Sequence, residues 1–400
     1  MYVQPVIGLL FGDEGKGRVV SSLARKALEN GRHPLVIRYS GASNAGHRVV
    51  CRTLGAHVFC NMGSGTLSGV PTYRTEDTLI DPLSLKEELD IYCQVSSHRP
   101  KPVLFLHRDS QIITPADVVV NRQGRDYLRN GTTGTGLSPA VERINAGYSF
   151  KISDILHPRV ARARMRGILS YHAAKYTTVA FSDSELEADM FLSIMALEQL
   201  MNDPRIELHI VNERPIEWND KWFDHLILEG SQGVLLDEKT GFFPHVTRGR
   251  VGIAKVLETL SRFDLEELDL FPVYVARHYL TRHGAGPMGS SLRVSTAEFL
   301  KENALKDEVN KTNPFQGKFK TEAFNYELMR YALESEYYDG LKDRTLSSVR
   351  LVMTCADHVP YPEKIRKQVP GIDRDGNPEL HTGLSVLYTD SPYVDSPIKE

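Results

Sequence analysis

The chain has 400 residues, of which 41% are apolar and 25% are charged, and its formal net charge is −3. This length is enough to bury one large hydrophobic core or two modest ones. The near-neutral charge provides no overall positive field of the kind that attracts nucleic acid, and no apolar run approaches the ~18 residues of a membrane span, so neither is expected as a partner.

The first predicted elements are a buried strand and a helix. The apolar run at 5–10 ends in a glycine-rich loop, and a helical pattern follows over 16–29. Similar short apolar runs, bounded by polar or glycine-bearing segments, recur along the chain. They predict further buried strands at 35–37, 103–106, 226–228, 273–275 and 349–353.

The clearest helix is predicted to begin at Ser182, with Glu185 three residues later as in a capping box. The apolar side chains that recur at helical spacing after it are Leu186, Met190, Ile194, Leu197 and Met201. The segment Asn202-Asp203-Pro204 is expected to end this helix, because proline cannot continue it.

Strands that alternate with helices over this length predict the fold class. We expect an α/β protein in which residues 1–400 form a single large domain, with a central, mostly parallel sheet flanked by helices. In such sheets ligands bind in the loops that follow the carboxyl ends of the strands. The loops after the predicted strands are therefore the places to look for a functional site.

The cysteines and the amino terminus suggest where the protein works. Cys51, Cys60, Cys93 and Cys355 form no CxxC pair and have no histidines at zinc spacing, so we interpret them as reduced, buried thiols. The amino terminus enters an apolar strand without the basic region or cleavage site of a signal peptide. A soluble, cytoplasmic protein is expected.

The loop after the first strand reads Gly12-Asp13-Glu14-Gly15-Lys16-Gly17. Glycines let a phosphate approach the backbone, a helix start offers unpaired N–H groups, and Lys16 can reach phosphate oxygens. A carboxylate beside a phosphate repels it unless it binds a metal or takes a proton, so Asp13 is a candidate magnesium ligand, general base, or both. Taken alone, the loop fits a tight Asp-Gly turn equally well.

The next strand is followed by Asn44-Ala45-Gly46-His47. A lone histidine in such a loop is more often structural than catalytic. Here, however, an amide, a glycine that permits close backbone approach and an imidazole fall within four residues. This combination suits a site where an oxygen is phosphorylated and then expelled, because histidine can donate a proton to the leaving phosphoryl oxygen.

Later loops have similar chemistry. The segment at 131–136, Gly-Thr-Thr-Gly-Thr-Gly, is rich in N–H groups and hydroxyls that suit a nucleotide phosphate, although a flexible surface loop is the alternative. Glu229-Gly230-Ser231-Gln232-Gly233 ends a predicted strand. Two further loops, at 243–247 and 281–287, follow it.

Together these loops resemble a known family. The matching segments are GDEGKG at 12–17, NAGH at 44–47, GTTGTG at 131–136, EGSQG at 229–233, FPHVT at 243–247 and RHGAGP at 282–287. In this order and spacing the chain resembles adenylosuccinate synthetase. The resemblance implies a sheet-centred domain in a homodimer and a magnesium-dependent reaction. In that reaction GTP phosphorylates the C6 oxygen of inosinate (IMP), and the amine of aspartate then displaces phosphate.

The resemblance also implies roles for individual residues. Asp13 would remove the N1 proton and bind magnesium together with the Gly46 carbonyl, His47 would be the acid, and Lys16 would bind donor phosphate. The implied nucleotide contacts are Gly12, Glu14, Gly15, Gly17, Asn44, Thr132, Thr133, Gln232, Thr247 and Asp357. The implied amino-acid contacts are Arg282, Lys318 and Lys320.

The chain departs from the family in its specificity loops. The family's arginine run, which grips the carboxylates of aspartate, is replaced by Lys318 and Lys320, and a lysine does not bind a carboxylate through two parallel hydrogen bonds. The family's guanine-reading segment corresponds to Thr354-Cys355-Ala356-Asp357, which keeps the carboxylate but lacks the stacking lysine. The arginine that reaches the partner subunit has no clear counterpart, since Arg143 is off register.

These departures leave alternatives open. The same chemistry could act on guanylate or deoxyguanylate, with another amine, or with ATP or dATP as donor. A related phage branch uses deoxyguanylate, and at least some of its members lose the aspartate of the first loop, so the retention of Asp13 favours an inosinate-like acceptor. The third alternative is a nucleotide-binding protein without ligase activity.

Overall fold

The computed structural model describes residues 1–179, 183–265, 267–288, 314–342, 348–355, 384–389, 391, 393–396 and 398. Its strands are β1 (Tyr2–Gly8), β2 (Pro34–Arg38), β3 (His47–Cys51), β4 (Gly55–Phe59), β5 (Thr72–Arg74), β6 (Leu79–Ile80), β7 (Val103–His107), β8 (Gln111–Ile112), β9 (Glu207–Val211), β10 (Glu217–Trp218), β11 (Lys221–Trp222), β12 (His225–Gly233), β13 (Asp269–Leu270), β14 (Val273–Arg277), β15 (Tyr279–His283), β16 (Phe319–Ala323), β17 (Val349–Thr354) and β18 (Leu384–Tyr388).

One large sheet organises the fold. Its strands follow the order β18-β17-β14-β1-β12-β2-β5-β7-β9, and β13 pairs with the start of β1. All the described ladders of this sheet are parallel. The predicted α/β class with a mostly parallel central sheet is thus confirmed. The carboxyl ends of β1, β12, β14, β2 and β17 therefore meet at one edge of the sheet.

The helices are α1 (Lys16–Glu29), α2 (Pro82–Val95), α3 (Pro115–Gln123), α4 (Arg125–Asn130), α5 (Leu137–Asn145), α6 (Ile152–Ile155), α7 (Pro158–Lys175), α8 (Asp183–Met201), α9 (Ile253–Leu260) and α10 (Tyr326–Glu336). Several begin at a capping residue that satisfies an otherwise unpaired amide. Asp81 accepts hydrogen bonds from two amides of α2, and Asn325 accepts one from Leu328 in α10. Thr114 and Asp117 form a capping box on α3.

Helices cover both faces of the sheet, because neighbouring residues of each central strand point in opposite directions. Val6 of β1 packs in a cluster with Val19 and Val20 of α1. Ile7, the next residue, packs in a cluster with residues of α9 and α10 on the other face. A separate cluster lies among α2, α7 and α8. Within the described residues, no helix combines the length and apolar character needed to cross a bilayer.

The strand and helix predictions are confirmed, with small differences at the ends. α1 spans the predicted residues 16–29, whereas β1 starts three residues earlier than predicted and ends at Gly8. The strand stops there because the Leu10 amide bonds to Glu14 in the loop instead of to a neighbouring strand. The predicted capping box at Ser182 and Glu185 lies outside the described side chains. The cysteines are partly exposed, not buried as expected, and form no disulfide.

Candidate active site

The loop between β1 and α1 is stabilised from within by Glu14. This carboxylate is buried and accepts hydrogen bonds from the amides of Leu10 at 2.6 Å and Gly12 at 3.1 Å. Burial raises the pKa of Glu14 above its usual value, although the charge of Lys16 opposes that shift. The loop therefore depends on Glu14 for its shape, and the side chain does not line the cavity described below.

Lys16 is held in the same interior. Its Nζ atom donates to the Gly12 carbonyl at 2.6 Å and lies 3.9 Å from Glu14 Oε2. Burial lowers the pKa of Lys16, while the nearby carboxylates offset part of that shift. In this conformation Lys16 does not line the cavity, and its ammonium group is bonded inside the loop.

Asp13 extends from the same loop towards the cavity. Its Oδ1 atom lies 3.0 Å from Nη2 of Arg277, which stands at the carboxyl end of β14. Its Oδ2 atom is buried and has no hydrogen-bond partner within the described part of the chain. One carboxylate oxygen is thus paired, and the other remains available to a ligand.

His47 begins β3 and lies against a second buried carboxylate. Its Nδ1 atom is 2.5 Å from Oε1 of Glu229. The Ser64 hydroxyl donates to the same oxygen, and the Ser64 amide donates to Oε2 at 3.0 Å. The other ring nitrogen, Nε2, is buried and has no partner in the described residues. We assign the Nδ1 hydrogen to the bond with Glu229, which fixes the orientation of the ring and leaves Nε2 for a ligand.

The pKa shifts of this pair follow from burial and mutual attraction. Burial lowers the pKa of His47, and the charge of Glu229 opposes part of that shift. Burial alone would raise the pKa of Glu229, but the charge and hydrogen bond of His47, helped by Arg38 and Ser64, bring it down to about 2. Glu229 is therefore ionised at neutral pH and can stabilise an imidazolium when negative charge enters the site.

Close packing explains why a glycine stands at position 17. A Cβ atom there would lie 2.9 Å from Cβ of His47 and 3.1 Å from Oγ of Ser64. A larger residue at Gly17 would therefore push α1 away from the His47–Glu229 pair. Gly17, predicted as a nucleotide contact, is thus also required for packing, which the sequence alone did not reveal.

The threonine-rich loop before α5 closes another side of the site. The Thr132 hydroxyl donates to Oδ1 of Asn121, and the Thr132 amide donates to the Phe315 carbonyl at 3.2 Å. The Thr133 and Thr135 hydroxyls are 2.9 Å apart. The Thr132–Phe315 bond joins the loop to the segment that carries Lys318 and Lys320, two of the predicted amino-acid contacts.

These loops surround a cavity of about 350 Å³. The predicted site residues that line it are Gly12, Asp13, Asn44, Gly46, His47, Thr132, Thr133, Gln232, Thr247 and Arg282. The predicted residues that do not line it are Glu14, Gly15, Lys16, Gly17, Lys318 and Lys320. Asp357 lies outside the described residues. Loops far apart in sequence thus come together as expected for the carboxyl edge of a parallel sheet.

Two of the three predicted amino-acid contacts, Arg282 and Lys320, already have partners in this conformation. The Arg282 guanidinium donates to the carbonyls of Pro287 and His245, both at 2.8 Å, and lies over the Phe11 ring. Burial lowers the pKa of Arg282 to about 10. Lys320 donates to the Gly286 carbonyl at 2.5 Å. These cations hold the cavity loops together, while Lys318 is exposed.

Two residues that the sequence interpretation left aside prove central to the site. Glu229 was within a quoted motif but had no proposed role, and its burial beneath His47 could not be inferred from spacing. Arg277 carried no sequence signal, because only strand pairing places it beside Asp13. Arg143, considered as a counterpart of an interface arginine, is instead fully buried in an ion pair with Asp117.

The residues present are compatible with a magnesium ion whose remaining ligands come from substrate and water. Asp13 offers a buried oxygen that has no partner among the described residues, and Gly46 lines the same cavity with its backbone. No group of three or more histidine, cysteine or acidic side chains forms a metal cluster among the described residues. This pattern fits Mg²⁺, which typically takes one or two carboxylates together with substrate phosphates and water.

Comparison with known proteins supports the motif resemblance. The family description of adenylosuccinate synthetase matches residues 5–338. The adenylosuccinate synthetase of Thermoplasma acidophilum is 26% identical over 300 residues, which cover 74% of this chain and 65% of that protein. The chain thus spans slightly less than two thirds of the length of this relative.

Solved structures show the shared fold. A fully ligated adenylosuccinate synthetase from Plasmodium falciparum superposes with a TM-score of 0.67 at 18% identity, covering 89% of this chain and 77% of that one. The succinoaminodeoxyadenylate synthetase of cyanophage S-2L, bound to dGMP and to dATP as an energy donor, gives a TM-score of 0.60 at 16% identity, covering 98% and 93%. Since the family match extends over most of the sequence, the chain belongs to the adenylosuccinate synthetase family.

Proposed function

We propose that this protein is a purine nucleotide ligase that joins L-aspartate to C6 of IMP at the expense of GTP, giving adenylosuccinate. The observation that carries the proposal is the pair of buried polar atoms, Oδ2 of Asp13 and Nε2 of His47, that lack partners within the described residues although both side chains line one cavity. A base and an acid on one cavity suit a reaction in which an oxygen is first activated and then expelled.

The first step makes the C6 oxygen of the purine a leaving group. Asp13 accepts the N1 proton, and the electron pair released from N1 makes O6 nucleophilic. O6 then attacks the γ-phosphorus of GTP, and GDP departs with the electrons of the broken P–O bond. Nη2 of Arg277 lies 3.0 Å from Oδ1 of Asp13, which leaves Oδ2 to accept this proton.

The second step replaces that oxygen with nitrogen. The amine nitrogen of aspartate attacks C6, and the C–O bond breaks so that phosphate leaves with the electron pair of that bond. The new C–N nitrogen then releases one proton to solvent. As negative charge develops on the transferred phosphoryl group, the pKa of His47 rises and the imidazole can donate from Nε2. Glu229 balances the resulting positive charge.

Asp13 and the Gly46 carbonyl would hold Mg²⁺ together with substrate phosphates, and the ion would neutralise charge on the phosphoryl group. Gln232, Thr133 and Thr247 are proposed to bind the acceptor nucleotide. We further propose that the protein is a cytoplasmic homodimer. Arg143 is buried inside the subunit and cannot reach a partner. In a dimer, a different residue would have to extend into the site of the partner subunit.

A second candidate keeps the chemistry but changes the substrates. It uses GMP or dGMP as acceptor, another amine in place of aspartate, or ATP or dATP as donor. The match to the cyanophage synthetase over nearly the full length of both chains favours a different acceptor or donor, and the replacement of the family's arginine run by lysines favours another amine. The retained Asp13 favours IMP instead, because the exocyclic amine of a guanylate acceptor would need the room that this side chain occupies.

A substrate matrix tests both candidates. We expect phosphate release and a product of adenylosuccinate mass only when IMP, aspartate, GTP and Mg²⁺ are all present. A product only with dGMP, or only with ATP, would replace the first candidate with the second. Absence of turnover in every combination would contradict both. Asp13→Asn is the matched inactive control, since asparagine keeps the size of the side chain but cannot accept the proton.

A further inference from the structure

The structure places an arginine beside the proposed base. Arg277 ends β14, and β14 pairs with β1, whose loop carries Asp13. Nη2 of Arg277 lies 3.0 Å from Oδ1 of Asp13, and Nη1 donates to the Tyr279 hydroxyl at 3.1 Å. The Arg277 side chain is 11% exposed, against 32% for Asp13, so the contact lies mostly inside the protein.

This contact divides the Asp13 carboxylate into two unequal halves. Oδ1 is occupied by a charge-assisted hydrogen bond, which is among the stronger and more directional ones in proteins. Oδ2 is buried without a partner in the described residues. The backbone of Asp13 is also fixed, because its carbonyl accepts a hydrogen bond from Thr281 at 3.3 Å.

We propose that Arg277 is a positioning residue that orients Asp13 so that only Oδ2 meets the substrate. This inference rests on the proposed function, since it assumes that Asp13 acts on the acceptor base and binds Mg²⁺. The positive charge of Arg277 also limits how strongly Asp13 attracts Mg²⁺. Because Mg²⁺ then binds Asp13 less strongly, the Asp13 carboxylate can still act as a base.

Replacement of Arg277 has two separable consequences. Without the guanidinium, the Asp13 side chain loses its fixed orientation, which lowers kcat. Mg²⁺ bound at Asp13 is also no longer repelled by the Arg277 guanidinium. The free energy of repulsion between such charges a few ångströms apart exceeds the contribution of one orienting hydrogen bond to Mg²⁺ binding. Arg277→Gln should therefore bind Mg²⁺ more tightly while it turns over more slowly. A residue with only a structural role would not produce these opposite changes.

The test compares Arg277→Gln and Arg277→Lys with the wild-type protein. For Arg277→Gln we expect kcat to fall about 10–100-fold, as is usual when the partner of a reacting or metal-binding group is removed, with a smaller change in KM for IMP. The Mg²⁺ concentration at half-maximal thermal stabilisation, measured with IMP and a non-hydrolysable GTP analogue, should fall about tenfold. Arg277→Lys keeps the charge, so its Mg²⁺ midpoint should stay near that of the wild type while kcat recovers only in part.

Arg164→Gln is the matched control, because Arg164 also pairs with an aspartate but lies exposed on α7. It should change neither quantity. An Arg277→Gln protein with wild-type kcat, or with an unchanged or higher Mg²⁺ midpoint, would overturn the inference. The Mg²⁺ midpoint requires no turnover, so it decides the role of Arg277 even if the wild-type protein fails the substrate matrix and the proposed function is rejected.

Discussion

Two buried histidine–carboxylate pairs in this protein have similar local geometry but different surroundings. In one, His47 lies 2.5 Å from Glu229, and in the other, His172 lies 2.8 Å from Asp117. In each pair one ring nitrogen is buried without a partner within the described residues. Both carboxylates have a pKa of about 2.

The difference lies in what surrounds the second nitrogen. His47 lines the cavity, whereas His172 is fully buried on α7 beside the capping box of α3. Asp117 bonds directly to Arg143 at 2.8 Å and also caps α3, so its charge is used in holding helices together. Burial alone would raise the pKa of Asp117, and the charge of Arg143 with the hydrogen bond of His172 lowers it.

The comparison shows that a perturbed buried pair is not itself a sign of catalysis. Structural ion pairs shift pKa values as strongly as active sites do. What distinguishes His47 is a nitrogen available to a ligand in a cavity that also contains Asp13. The two pairs should therefore respond to mutation in opposite ways, one through turnover and the other through stability.

The largest expected effect is the loss of turnover in His47→Asn. Asparagine can still donate a hydrogen bond towards Glu229 from near the position of Nδ1, but it has no counterpart of Nε2. We expect kcat to fall by about 10²–10⁴-fold, the usual contribution of a general acid or base. Single-turnover phosphate release, normalised to folded protein, is the measurement.

His172→Asn is the counterpart of that variant in the structural pair. It should lower the free energy of unfolding while kcat per folded molecule stays within about twofold of the wild-type value, since nothing in the cavity changes. Equal losses of kcat in the two histidine variants would contradict the distinction between the pairs.

The next largest effect is the loss of stability in Asp117→Asn. Asparagine leaves Arg143 fully buried without a compensating charge, and breaking a buried pair in this way typically costs about 3–5 kcal/mol. Urea unfolding followed by circular dichroism measures the change. A loss of less than 1 kcal/mol would mean that the pair contributes little to the fold. Glu207→Gln, on a partly exposed edge strand, serves as the control.

Much of the fold was predictable from sequence because a parallel sheet leaves a strong local signal. Strands β2 and β12 are buried on both faces, and each therefore contains a continuous apolar run, at 35–37 and at 226–228. The start of α1 is marked by the glycine loop. The position of the cavity was predictable for the same reason, since ligands bind in the loops that follow the carboxyl ends of parallel strands.

The partners inside the site were not predictable. Arg277 is far from Asp13 in sequence and lies beside it only because β14 pairs with β1. Nor does any local pattern indicate that Arg282 and Lys320 would bond to backbone carbonyls instead of facing a ligand. The short strands β3, β4, β15 and β16 were also missed, because their mixed polar and apolar residues give no clear period.

A third buried carboxylate sharpens the comparison, because its hydrogen bonds come from neutral groups. Glu336 accepts from the Ile253 amide at 2.7 Å and from the Tyr274 hydroxyl at 3.1 Å. Burial raises its pKa from 4.5 to about 8, the direction opposite to that of Glu229 and Asp117. Between these two pH values the folded protein holds a proton that the unfolded chain releases. Its contribution to stability is therefore greatest below about pH 4.5 and declines as the pH rises towards 8.

Glu336→Gln should remove this decline, since glutamine accepts the same two hydrogen bonds but does not titrate. The wild-type free energy of unfolding should lose up to about 1.4 kcal/mol per pH unit from this group, and the variant should gain on the wild type between pH 5 and pH 8. Urea unfolding at both pH values measures the difference. Glu334→Gln, in the same helix but partly exposed and paired with Arg330, should show no such gain. A parallel pH dependence in wild type and Glu336→Gln would mean that the carboxyl is ionised in the folded state despite its burial. In that case the charge of the hydrogen-bond partner would not decide whether a buried carboxyl is ionised.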